Sequence, residues 1–312
     1  MPGIAQQIAR NIQQSRPLPS EDKMATRTFH HTRSNSFPLP SRPSPLVSQI
    51  DVHLNRLRAS DATSTSSSIS RKLNGFRDLY DCVDKLLQLP FSQQALAQEQ
   101  HKELVDELLD GSLWLLDLCS TAKDVVLQTK ESTNELQSIL RRRTGEVELV
   151  SVVGKYLTSR KEVKKTIHKA LGNLKGMQSK QIFSLSEDYE TKAIVSMLRE
   201  VEAVTSSMFE YLLSLISGPK PGSWSLVSKL LHHKRIACKG AAREANEFEK
   251  VDAALKSLAG QKMSKSENTM NVEMQNQLKD LELCIQDLED GLECLFRCMI
   301  KARVSLLNIL TP

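Results

Sequence analysis

The carboxy-terminal forty residues constrain this chain more than any other stretch. Leu278, Ile285, Leu292, Met299 and Leu306 recur every seven residues. Leu281, Leu288, Leu295, Ala302 and Ile309 repeat three positions later. A heptad stripe sustained over more than four repeats specifies a long helix with one face sealed against other helices. Left in water, each large side chain of that stripe would forgo about 1.5–3 kcal/mol. A homodimeric coiled coil is one way to cover it. An internal bundle is the preferred reading, because several other amphipathic segments of the same chain need a partner and are present at high effective concentration.

Those segments are read from the same period. Val47, Ile50, Leu54 and Leu57 share a helical face between Leu46 and Ser60, and a Ser/Thr-rich stretch follows. Leu73, Phe76, Tyr80, Val83 and Leu87 step by three and four until Pro90 ends the helix. A third amphipathic segment is predicted from about Ser92 to Leu109. A long helix is predicted from Leu113 to Arg143, where three arginines meet the negative end of the helix dipole. Further helices are predicted from Glu146 to about Met177 and from Ser186 to the Gly-Pro-Lys-Pro-Gly break at 218–222, with one or two more before a polar loop at 259–270. No strand-like alternation competes. The fold class is therefore all-α, a bundle of long antiparallel helices over 46–312 preceded by a disordered tail over 1–45.

Composition agrees with helices, since the chain is 40% hydrophobic but only 4% aromatic. A net charge of +5 is a mild excess that helps contact with an acidic partner or an anionic membrane without naming either. Nucleic-acid binding is not expected, because few aromatics interleave with the lysines to stack bases. Six cysteines lie scattered on apolar stretches, which reads as free thiols in a reducing, cytoplasmic setting. The longest apolar runs fall far short of the ~18 residues of a membrane span. Between Met24 and Ile50 there is no acidic residue, a composition shared by transit peptides, so plastid targeting stays open.

Chemistry-bearing motifs are few. His232 and His233 precede Cys238 at a spacing that suits no standard zinc site, and Cys294 and Cys298 form an i,i+4 pair that reads as packing thiols. No nucleophile elbow, P-loop, kinase or dinucleotide fingerprint occurs. No cofactor, metal site or catalytic residue is assigned, and the chain is read as a non-enzyme, with an enzyme of unrecognised type as the remaining alternative. The acidic run 287–293 reads as a solvated helix face with i,i+4 pairing to Arg297.

Two stretches carry functional readings. In the tail, Arg33, Ser34, Ser36 and Pro38 form Arg-Ser-Asn-Ser-Phe-Pro, a hexapeptide that resembles the phosphoserine motif bound by 14-3-3 proteins. Phosphate on Ser36 would add about −1.5 to −2 charge and strong acceptors for an arginine cluster. Ser44, before Pro45, is a second phosphosite candidate. The other stretch, 155–180, holds eight basic residues against one acid. Arg160, Lys161, Lys164, Lys165 and Lys169 are its candidate surface, facing an anionic membrane or an acidic protein.

The stretches FHHTRSNSFPLPSRPSP (29–45) and LEDGLECLFRCMIKARVSLLNILTP (288–312) resemble the plant-specific BYPASS-like family, and the likeness extends over about 29–312. It implies a helical protein linked to root and shoot development, with no established enzymatic activity. Members of that family begin near a methionine corresponding to Met24, so residues 1–23 depart from the pattern.

Overall fold

The computed structural model describes residues 45–59, 66–142, 146–178, 189–218, 245–260 and 267–310. The tail candidates Arg33, Ser34, Ser36, Pro38 and Ser44 lie outside them, as do His232, His233 and Cys238. Among the described residues there are eight α-helices, one 3-10 turn and no strand: α1 Pro45–Ala59, α2 Ser66–Leu87, α3 Pro90–Leu96, the 3-10 turn Glu99–His101, α4 Lys102–Arg142, α5 Glu146–Gln178, α6 Tyr189–Ser217, α7 Glu247–Gly260 and α8 Glu267–Leu310. None of them is long and apolar enough to cross a membrane.

Local chemistry sets most boundaries. Pro90 ends the run of α2 and opens α3 from its first turn, where a missing N–H costs nothing. Gly218, at φ +72, closes α6 by donating its N–H to the carbonyls of Ser214 and Leu215. Asn246 caps α7 by accepting the Glu249 N–H at 2.9 Å.

Two boundaries differ from the sequence expectation. The segment predicted over Ser92–Leu109 is split at Leu96, and its second half fuses with the helix predicted to start at Leu113, so α4 runs 41 residues straight through Gly111. A β-carbon there would stand 2.6 Å from a carboxylate oxygen of Glu202, so this glycine admits the Glu202 side chain of α6 rather than breaking the helix. The predicted loop at 259–270 is shorter than read, because α8 begins at Glu267, in a polar first turn that carries no apolar period.

The heptad stripe is the spine of the core. Leu278, Leu281, Leu292 and Leu295 have no solvent exposure, and Ile285, Leu288, Met299, Ala302, Leu306 and Ile309 are also buried. α4 lies antiparallel along α8: Lys123 reaches Glu293 at 2.6 Å, Lys130 pairs with Glu289, and Gln137 donates to the Leu278 carbonyl at 3.2 Å. On its other flank α8 runs parallel to α2, whose Ser70 and Asp84 meet Asp287 and Ser305. Gly291 lets the two backbones close in, since a β-carbon there would sit 2.6 Å from Leu73. α5 lies antiparallel to α4, with Ser132 bonded to Ser159 and Glu135 to Lys155. α1 lies antiparallel on α2, with Gln49 beside Cys82 and Leu57 beside Gly75.

Candidate functional site

The basic stretch of α5 divides into two faces. Tyr156, Arg160, Val163 and Ile167 fall on the buried side, and Lys161, Lys165 and Lys169 on the solvent side with His168. Arg160 is therefore not a surface residue, which corrects the sequence reading. It is 2% exposed. Its Nε donates to Asp252 Oδ1 at 2.9 Å, and its Nη2 donates to the Ile216 carbonyl at 2.7 Å and to Asp252 Oδ2 at 3.3 Å. A guanidinium this deep must find a counter-charge, and the forked geometry of arginine matches a carboxylate. Lys164 is also drawn away from the surface face, 2.8 Å from Asp252 Oδ2.

Asp252 of α7 thus holds the centre of a clasp. Tyr156 donates its hydroxyl to the same carboxylate at 3.4 Å, and the Arg160 guanidinium stands 5.6 Å from the Phe248 ring centroid. Burial alone would push the Asp252 carboxyl up, but Arg160 and Lys164 outweigh it and hold it below the usual carboxylate range. Burial pushes the Tyr156 phenol up. With Asn246 donating to the Leu215 carbonyl at 3.1 Å, two side chains reach carbonyls in the last turn of α6. The clasp ties α5, α6 and α7 together, and sequence reasoning missed Asp252 because its partner lies 92 positions away.

A second carboxyl, half-buried, sits between α4 and α6. Burial pushes Glu202 up to about 8, with Arg199 pulling it down and Glu107 pushing it up. It lines a cavity of about 50 Å³ together with Tyr80, Ser112, Arg303 and apolar side chains such as Leu115 and Met299. That volume holds a water or two, not a metabolite, whose pockets span ~300–1,000 Å³. Tyr80 is bonded to Thr205 at 3.1 Å and Arg303 to Ser112 at 2.7 Å, so both polar groups are already engaged. An open hollow of about 360 Å³ is lined by the polar and charged residues Asn134, Gln137, Ser138, Arg141, Arg142 and Glu282.

Among the described residues no group of three or more His, Cys, Asp or Glu side chains could hold a metal. Cys82, Cys119, Cys284, Cys294 and Cys298 form no disulfide among the described residues. Burial pushes the Cys119 thiol up to about 12 and the Cys298 thiol up to about 11, the opposite of an activated nucleophile.

The buried ion pairs and many of the buried hydrogen bonds tie helices together, which defines a helical-bundle protein whose outer faces are its candidate working parts. The chain belongs to the family described as Protein BPS1, whose model matches residues 72–309. The match begins inside α2 and takes in the clasp and the whole of the stripe, leaving α1 and the tail outside it. No curated protein matches, and no solved structure does.

Proposed function

We propose that this member of the BPS1 family is a non-enzymatic plant developmental regulator that acts by protein–protein contact, with a phosphorylation-dependent docking motif centred on Ser36. The observation that carries the first half is the fate of the buried ionisable groups: Arg160, Asp252, Lys164 and Tyr156 bond one another across three helices, and the cavity beside Glu202 is too small for a metabolite. The second half rests on the hexapeptide at 33–38, in which Arg33 suits a basophilic kinase and Pro38 turns the chain out of a reader's groove. Binding of tail peptides to a 14-3-3 protein tests it: the Ser36-phosphorylated peptide should bind and the unmodified one should not. Equal binding removes the switch.

A second reading is peripheral attachment to an anionic membrane through α5. Lys161, Lys165 and Lys169 share its exposed face and support this reading. With Arg160 and Lys164 committed to Asp252, attachment would be electrostatic and would fade as salt screens it. Flotation with phosphatidylserine vesicles at low and high salt tests it, and failure to float at low salt eliminates it.

A further inference from the structure

α4 and α8 share an outer face that no other described helix covers. On it Leu113 is 47%, Ile300 40%, Val304 47% and Leu307 39% exposed. Arg303 bonds Ser112 at 2.7 Å, so Leu113 stands level with the 300–307 turns of α8. The α8 side chains step by four and three and therefore share one face.

Carboxylates border this apolar strip. Glu103, Asp106, Asp110 and Asp117 fall on the same side of α4 as Leu113 by the 3.6-residue period, and all four are exposed. None has an ion-pair partner among the described residues. Of the nearby cations, Lys123 and Arg297 pair with Glu293, Lys301 with Asp84 and Arg199 with Glu107, while Lys102 is exposed at the start of α4 and forms no ion pair with these acids. An apolar strip edged by unpaired acids suits a partner that is basic and carries a few large apolar side chains.

The chain itself contains such a segment. Residues 24–44 hold Arg27, Arg33 and Arg42, no acid, and the apolar residues Phe29, Phe37 and Leu39. They lead directly into α1, whose first turn lies at the end of the bundle where α8 finishes. α1 runs antiparallel to α2, with Gln49 at Cys82, and α2 runs parallel to α8, with Asp84 2.6 Å from Ser305. From α1 across α2 and past α8 to the strip on its α4 side is between two and three interhelical spacings, about 20–25 Å. The eight residues from Phe37 to Pro45 span up to about 26–29 Å when extended.

We propose that segment 24–44 docks in its own chain across this α4/α8 face, with Phe37 and Leu39 on the apolar strip and the arginines over the carboxylates. The proposal deepens the Ser36 reading and rests on it for its regulation. A phosphate at Ser36 would meet Asp106, Asp110 and Asp117 with like charge and expel the segment, so that the modification both frees the motif and completes it.

The test is photo-crosslinking in the full chain with Phe37→p-benzoylphenylalanine, followed by peptide mapping of the monomer. The expected result is a cross-link within one chain to peptides from 102–123 or 297–310. It should be lost in about 0.5 M NaCl, where the Debye length is only a few ångströms. It should also be lost in Asp106→Lys/Asp110→Lys/Asp117→Lys, a variant checked for retained helicity. Leu113→Arg serves as a second variant, at an exposed position where folding is not at stake. A cross-link between two chains, to another face, unchanged by these substitutions, or absent altogether overturns the proposal. Failure here leaves the 14-3-3 peptide result untouched, because that assay contains no α4 or α8.

Discussion

Arg160→Met should be among the most damaging single substitutions outside the apolar core. Methionine keeps the length of the side chain but leaves Asp252 ionised, deeply buried and short of its main counter-charge. Removing one member of a buried ion pair costs about 3–5 kcal/mol. Lys164, itself 30% exposed, still reaches the carboxylate, so the lower end applies and the expected loss is about 3 kcal/mol. At about 2–4 °C per kcal/mol for a domain of this size, Tm should fall by roughly 6–12 °C. Part of that loss is the orphaned Ile216 carbonyl, which Asp252 does not share. The assay is urea unfolding of Arg160→Met, Asp252→Asn and the double variant by far-UV circular dichroism. Groups in contact couple by about 0.5–3 kcal/mol, so the double variant should be little worse than Arg160→Met alone. Additive losses, or a cost for Arg160→Met below about 1 kcal/mol, would refute the account of the clasp as a buried, mutually dependent pair.

The Asp252 and Glu202 carboxyls respond to pH in opposite senses. Asp252 is held below its unfolded value, so its contribution is complete above about pH 4 and is lost as pH falls further; acid titration of Asp252→Asn should show a shallower loss of stability than the parent chain. Glu202 is held at about 8, above its unfolded value, so the folded state loses stability as pH rises from about 4 to 8. Glu202→Gln should therefore gain about 1–3 kcal/mol relative to the parent at pH 8.5 and little at pH 5, measured as the difference in urea midpoints. Gly172→Ala should stabilise by about 0.5–1 kcal/mol, because its β-carbon meets nothing within 4 Å and alanine is the better helix former. Gly291→Ala should destabilise by about 1–3 kcal/mol in the same urea assay, since its β-carbon would press into Leu73. Leu292→Ala, at a position with no exposure, should cost about 2–5 kcal/mol.

What could be read from sequence followed from periodicity. The stripe of α8 and the apolar faces of α1, α2 and α6 announce themselves because burial repeats at 3.5–3.6 residues whatever lies opposite. Glycine was harder to read: Gly111 falls in the gap between the segments predicted to end at Leu109 and to begin at Leu113, yet the helix runs through it beside Glu202, while Gly218 does close one. Charge was harder still. Arg160 and Lys161 are neighbours of the same kind in the sequence, yet one is sealed and one is solvated, and only the distant Asp252 decides which. The apolar strip of α8 was likewise hidden, because Ile300, Val304 and Leu307 lie among the residues of the stripe and look like more of the same core.

The clasp has a mechanical corollary for the connection between α6 and α7. Its two ends are pinned together by Arg160, which bonds the Ile216 carbonyl of one helix and the Asp252 carboxylate of the other. A protease that severed the backbone anywhere between 219 and 244 would therefore leave two fragments still interlocked, eluting as a single particle until a denaturant pulled them apart.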